Sequence, residues 1–513
     1  MHALGRRSGG AGSTQLPQGT QKMKTRLAVP IAAAAFLVIL YAILAAQLTP
    51  GMHSEGTDWA MYVMHARNIV KGLPYTQTGY VFQPESTTEI GANSYPSGYP
   101  LLIAPLYAVF GLNIKLFKLL NVAFLVLSLW PVYLYARRTL SQVYSLLLIV
   151  ALGYSLLFVS IFDGFGSDAP YQLVSFLVLL LLLRIYDWRL NETNPWKWGL
   201  LAGFSIAGAY LIRPFGLAFL VAAAGTELLR RRGLTTFLVA TATAFTPLVL
   251  LNNLLLHRDS SYAYQFTRSI PHIVSHAAAY AGFLSYVFAN PLSHYFRYLL
   301  WAATFPLALL AVSKRVRAGL SVTELYLLVI FAVISAYWSP SPRYLICVIP
   351  VYMVYMFEGF RMLVARVPQR LARSLQVAAA ALLLFAPAAN AVLMRPDPSD
   401  TLVTAATYEE LCAVVSSQTA PDSLVVFWNP RVFALSTGRH SSGWPAEGPP
   451  EQIIHYLRRV LPRYIVADKS RPEDRQSLIP VLAAEPLRFA TVYENGQFIL
   501  VRALQGRNGK GPG

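Results

Sequence analysis

Long apolar runs alternate with short polar ones along most of the chain. The apolar runs occupy 27–49, 115–135, 142–161, 169–187, 196–213, 214–230, 235–256, 294–312, 321–338, 343–362 and 374–394. Each is close to the roughly 20 residues a helix needs to cross a bilayer. Backbone polar groups in hydrocarbon must be satisfied within the segment, so such runs predict helices. The pattern therefore predicts a mainly α, polytopic transmembrane helix bundle of about 11 spans.

The polar positions set its orientation. Arg6, Arg7, Lys22, Lys24 and Arg26 precede the first run, which is too long for a signal-peptide core and reads as an uncleaved helix. With the N-terminus in the cytoplasm, the basic clusters share the cytoplasmic side. These are Arg137/Arg138, Arg184/Arg189/Lys197, Arg230/Arg231/Arg232, Lys314/Arg315/Arg317 and Arg361/Arg366/Arg370/Arg373. The outer side then receives 50–114, 162–168, the Arg213–Pro214 corner, 257–293, 339–342 and everything after 395. The pair 196–213 and 214–230 leaves a re-entrant helix open.

After 395 the period changes. SLVVFWNP, RYIVAD and FATVYENGQFILVRAL read as strands, PPEQIIHYLRRVL as an amphipathic helix, and Asn495–Gly496 as a hairpin turn. The expected organisation is a disordered cytoplasmic N-terminus (1–26), a membrane module (27–394) with outer loops 50–114 and 257–293, and a small extracytoplasmic C-terminal α/β domain (395–505). Residues 506–513 read as a disordered tail.

Composition agrees. The chain is 55% hydrophobic and 13% charged, against about 25% charged in soluble domains. The net charge of +18 lies mostly in short loops, so it reports topology and not nucleic-acid binding. Cys347 and Cys412 give neither a disulfide framework nor a metal cluster. No P-loop, Rossmann or zinc motif occurs, so a soluble nucleotide site is not expected.

The candidate chemistry lies on the outer side. In SEGTDWAMYVMHARNIVKG (54–72), Asp58, Tyr62 and His65 share one helical face. Trp59, Val63, Ala66 and Val70 line another that would suit the membrane interface. Ser54 or Thr57 would cap the helix. Asp58 can complement the helix dipole there, or act as a general base on an incoming hydroxyl or amine. In FDGFGSDAPY (162–171), Asp168 can open the next helix and Asp163 stands five residues before it. Glu55, Asp58, Asp163 and Asp168 can converge over the bundle as a base and as partial ligands for a hard divalent cation, Mg²⁺ or Mn²⁺. Arg213, Arg343, Arg258, His257, Arg268 and Arg297 are outer cations. Arginine suits phosphate, and Arg213 and Arg343, beside Tyr344, break the positive-inside bias. The segment 93–111 suits a short re-entrant or interfacial helix.

GTDWAMYVMHARNIVKG after the first span, YPSGYPLLIAPLYAVFG, FGSDAPY, LIRPFGLAFLVAA and PRYLICVIPVYMVY together resemble GT-C membrane glycosyltransferases. More narrowly they resemble the bacterial relatives of protein O-mannosyltransferases and the lipid A aminoarabinose transferase. The tail also resembles the small outer domain of many bacterial members. The resemblance implies an inverting transfer from a polyprenyl-phosphate-linked sugar donor to an extracytoplasmic acceptor, at a bacterial plasma membrane. It places the base on Asp58 and an acceptor- or metal-assisting acid on Asp168. Arg343 would hold the departing phosphate, and Arg213 is a weaker carry-over. The family often has an acidic pair at the first motif, whereas here Trp59 follows Asp58 and Glu55 precedes it. Two other classes compete. A transporter or flippase would place ionisable groups near the bilayer midplane and show repeats. A scaffold would tolerate neutralising Asp58.

Overall fold

The computed structural model describes residues 18–49, 51, 58–86, 90–256, 266–267, 269–393 and 405–504. Glu55, His257, Arg258 and Arg268, and the expected caps Ser54 and Thr57, lie outside them.

Every apolar run lies on a helix. The first helices are α1 (Gln18–Ala46), α2 (Asp58–Lys71), α3 (Gly98–Phe110), α4 (Ile114–Ala136), α5 (Gln142–Gly153), α6 (Leu156–Phe162) and α7 (Asp168–Asp187). A single-turn α8 (Leu190–Thr193) leads to α9 (Pro195–Ile212), α10 (Leu217–Arg231), α11 (Thr236–Leu256) and α12 (Ile270–Phe283). The membrane module ends with α13 (His294–Ala318), α14 (Val322–Ser335), α15 (Ile349–Val364) and α16 (Gln369–Leu393).

By length and apolar composition alone, these helices account for part of the expected count of about 11 spans. Among the described residues, 6 helices are long and apolar enough to cross a membrane alone, and up to 7 if α5 and α6, bent by 51°, form one span. α10, α14 and α15 have only 15, 14 and 16 residues. Proline explains two of these. Pro214 and Pro342 lack a backbone N–H, so each opens a 3₁₀ turn where a longer helix was expected.

Close approaches hold the helices together. Gly199 and Gly203, one turn apart on α9, let α11 pack backbone to backbone. A Cβ on Gly203 would stand 2.3 Å from the carbonyl oxygen of Thr241. Small residues at this spacing drive helix association in lipid, where water gives no hydrophobic push.

The C-terminal domain has the expected strands and hairpin. It contains α17 (Ala406–Gln418), β1 (Leu424–Val426), α18 (Pro430–Thr437), β2 (His440–Ser442), α19 (Pro450–Val460), β3 (Tyr464–Asp468), α20 (Ile479–Ala484), β4 (Phe489–Glu494) and β5 (Phe498–Ala503). The sheet order is β2-β1-β3-β5-β4. β1 pairs in parallel with β2 and β3, and the rest is antiparallel. β2 and α18 had no clear sequence signal.

This domain is not separate from the membrane module. Its α17, α18 and strands share one core with α2 and α3 (Trp59, Val63, Tyr99, Leu411, Phe433, Phe498). Residues 79–81 of the outer loop extend the sheet beside β2. Ser441 N–H donates to Gly79 O at 2.9 Å, and Val81 N–H donates to Ser441 O at 2.8 Å. α2 is therefore a core helix. Trp59, Val63 and Ala66 are buried where the sequence suggested a lipid interface; only Val70 is exposed.

Replacing Gly203 by Ala is expected to cost about 1–3 kcal/mol, the range for overpacking against backbone that cannot yield. A lowered Tm of the purified protein in detergent would register this, and an unchanged Tm would remove the close packing of α9 on α11 as a constraint.

Candidate active site

Local chain chemistry aims each charged group. Asp58 opens α2, and Asp168 opens α7. Arg213 ends α9 in extended conformation (φ −146°, ψ 136°) because the following proline disfavours helix at its position. Gly216 completes that corner. A Cβ there would lie 2.3 Å from the backbone nitrogen of Tyr210. Pro342 likewise starts the 3₁₀ turn that carries Arg343 and Tyr344.

These groups meet. Asp58 Oδ1 accepts from the Tyr95 hydroxyl at 2.6 Å and from Arg431 Nη1 at 3.0 Å. Its Oδ2 faces Arg343 Nη2 at 3.5 Å, a long contact. Arg213 Nη1 donates to Asp168 Oδ1 at 2.5 Å, and its Nε to Ser167 Oγ at 3.0 Å. Tyr62 pairs its hydroxyl with the same Ser167 Oγ at 2.9 Å. Tyr344 links the two halves. Arg213 and Arg343 lie over its ring at 5.6 and 5.3 Å.

Three guanidiniums thus face two carboxylates, which leaves a positive excess for an anion. They differ in availability. The Arg431 and Arg213 side chains are 2% and 12% exposed, that of Arg343 38%. Burial alone would raise the Asp58 carboxyl. Arg343, Arg431, the Tyr95 hydrogen bond and Arg213 outweigh it and hold the group below its ordinary value of 3.8. Asp58 is therefore a carboxylate at neutral pH.

Two cavities open on this cluster, and Asp58, Tyr62, Ser167, Arg213 and Arg343 line both. One is about 460 Å³ and reaches Asp168, Phe165 and Tyr286. The other, about 60 Å³, reaches Ile90, Tyr95, Tyr337 and Tyr344. A larger cavity of about 720 Å³ lies beside Lys314, Arg315 and Arg361. It is remote from these acids, and its own acid, Glu358, is bound by Arg315 at 2.5 Å. α7, α10 and α15 each run from beside the Asp58 cluster towards basic ends at Arg184, Arg230/Arg231 and Arg361.

Other sequence candidates stand elsewhere. His65 is buried, stacked on Tyr75 at 4.1 Å, and lines neither cavity. Burial depresses it to about 4, so it is neutral at pH 7. Asp163 does not join the acids over the bundle. Lys118 Nζ takes it at 3.1 Å in a buried pair, and Thr49 donates to it through N–H at 2.8 Å and Oγ1 at 2.6 Å. Arg297 lies over Tyr298 and Tyr286. The sequence reading missed Arg431, Tyr95 and Ser167. The one available signal for Arg431 was a cation inside an apolar helical turn, NPRVFAL, which has no solvent face for it.

The described residues offer the expected metal no complete ligand set, and Glu55 lies outside them. Among the described residues no three His, Cys, Asp or Glu side chains gather to hold an ion. Asp58 and Asp168 are each bound by guanidinium, which would repel a divalent cation.

Comparison with known proteins bears on the fold. Residues 94–257 match the family model described as dolichyl-phosphate-mannose-protein mannosyltransferase. No curated protein is significantly similar to the chain. ArnT from Cupriavidus metallidurans, bound to undecaprenyl phosphate, aligns with a TM-score of 0.53 at 13% identity, covering 92% of this chain and 97% of that one. The Archaeoglobus fulgidus oligosaccharyltransferase tethered to an acceptor peptide with the NVT sequon aligns at 0.51 and 14%, covering 85% and 69%. Its complex with Zn and sulfate aligns at 0.52 and 13%, covering 84% and 67%. These are GT-C glycosyltransferases, and the GT-C fold expected from the sequence is the fold of this chain. With its apolar helices, that makes it a multi-pass membrane protein.

Breaking the buried Lys118–Asp163 pair should destabilise without touching the cluster. Lys118→Met is expected to cost about 3–5 kcal/mol by leaving a buried charge alone, and Lys118→Met/Asp163→Leu to recover much of it. Chemical denaturation of the two variants reads this; equal stability of both would show the pair is not a structural tie.

Proposed function

We propose that the protein is an inverting glycosyltransferase that moves a sugar from a polyprenyl-phosphate donor to an acceptor on the extracytoplasmic face of a bacterial plasma membrane. The acceptor class is a glycan, lipid or protein. One observation carries the reading: an ionised Asp58 stands where two cavities meet, in long contact with Arg343, the most exposed of three guanidiniums.

The chemistry follows from that placement. The donor phosphate enters the positive excess and draws Arg343 towards it. Arg213 stays committed to Asp168 and Arg431 stays buried. The Asp58 carboxylate receives the proton of the acceptor O–H or N–H. The freed lone pair attacks the anomeric carbon, and the C–O bond to phosphate breaks from the opposite face. Its electron pair goes to the phosphate oxygen, where Arg343 stabilises the charge. Departure of Arg343 from Asp58 also raises the basicity of the carboxylate when it is needed. Asp168 acts by holding Arg213, and Tyr62 and Tyr344 wall the cavity. No metal is required. The undecaprenyl phosphate on the structurally similar ArnT supports the donor class, and the basic clusters opposite the site support its extracytoplasmic placement.

The test is release of label from a panel of radiolabelled polyprenyl-phosphate sugars by the full chain in liposomes. Release with one sugar is expected. Asp58→Asn should lower kcat by about 10²–10⁴-fold, the scale of a lost general base. Addition of EDTA should leave the rate unchanged. Arg343→Ala should lower kcat/KM for the donor. Release unaffected in Asp58→Asn removes the base. No release with any donor, from folded protein, favours transport of a lipid-linked substrate.

A further inference from the structure

The C-terminal domain reaches into the cluster through one side chain. Arg431 stands in the first turn of α18, where Pro430 sets the helix start and Val432, Phe433 and Ala434 are buried. Its Nη1 donates to Asp58 Oδ1 at 3.0 Å, and its Nη2 donates to Ile90 O at 2.7 Å. The guanidinium lies over the rings of Tyr80 and Tyr95 at 5.2 and 5.4 Å. Tyr95 donates to the same Asp58 oxygen. A planar fork can hold two acceptors and two ring faces at once, which an ammonium cannot.

The packing gives this arginine a fixed address. Residues 79–81 pair with β2, and α2 shares its core with α17 and α18. Undocking the domain would therefore withdraw Arg431 from Asp58. Arg343 offers a contrast: it is more exposed, its contact is longer, and a phosphate can recruit it.

We propose that Arg431 is a positioning residue through which the C-terminal domain completes the reaction centre, orienting the Asp58 carboxylate and setting its basicity. The inference rests on reading Asp58 as the base. The groups facing Asp58 are Arg431 of α18, Arg343 before α15, Arg213 at the α9 corner, Tyr95 of the outer loop and Tyr62 of its own helix. Arg431 is the one contributed by the C-terminal domain.

The sign follows from charge. Burial tends to raise Asp58, while Arg343 and Arg431 lower it. Removing Arg431 leaves burial less opposed, so the carboxyl titrates at higher pH. The measurement is the titration of the Asp58 carboxyl by infrared difference spectroscopy on the full chain in liposomes, with the band assigned by its loss in Asp58→Asn. Arg431→Gln should move the midpoint up by about 1 pH unit, the effect of one neighbouring cation on a carboxylate. Arg431→Lys should restore most of the shift. The acid limb of kcat/KM should move with the midpoint. A role in packing alone would move neither. An unchanged midpoint in folded Arg431→Gln overturns the proposal. Should that variant fail to fold, Arg431→Met decides by the same reading: a raised midpoint supports the proposal, and one near wild type overturns it. Full activity of Asp58→Asn would instead sink the base reading, whatever the titration shows.

Discussion

The site depends on compensating charge that has been taken partly out of water. A lone carboxylate or guanidinium in such a place is costly, so each must meet an opposite charge in good geometry. Here the partners come from distant parts of the chain. Asp58 begins α2, Asp168 begins α7, Arg213 ends α9, Arg343 precedes α15, and Arg431 belongs to the C-terminal domain. Their mutual need fixes how these elements sit against one another. It also leaves one positive charge more than the acids require.

That excess gives the arrangement its direction. Two guanidiniums are committed, one to Asp168 and one to Asp58 with a backbone carbonyl. The third is half-buried and held by a long contact. An anion arriving at the cavity competes with Asp58 for the group that is easiest to move. Under the proposed function, binding of the donor and activation of Asp58 are then the same event.

Much of this was legible in the sequence. Asp58, Asp168, Arg213, Arg343, Tyr344 and Tyr62 were singled out there, and all six line the cavities. The signals were local: acids at helix starts, and Arg–Pro and Pro–Arg corners where proline forces the backbone out of α-helix. His65 and Asp163 line neither cavity, because spacing shows which residues share a face or loop, but not what packs over it. Tyr75 covers one and Lys118 takes the other. Arg431 was hidden because its partner lies 373 residues away in sequence. Helix lengths were less legible than helix positions, because an apolar run does not show where proline replaces the first helical turn with a 3₁₀ turn.

Competition between Asp58 and a donor phosphate for Arg343 is read by binding of undecaprenyl phosphate to the full chain in nanodiscs, comparing wild type, Asp58→Asn and Arg343→Gln. If Asp58 and the phosphate compete for Arg343, neutralising Asp58 should tighten binding severalfold while slowing transfer. Losing Arg343 should weaken binding about tenfold or more, the scale of one charge-assisted hydrogen bond. Affinities that are the same in all three proteins would contradict the shared use of Arg343, and with it the coupling of donor binding to the base.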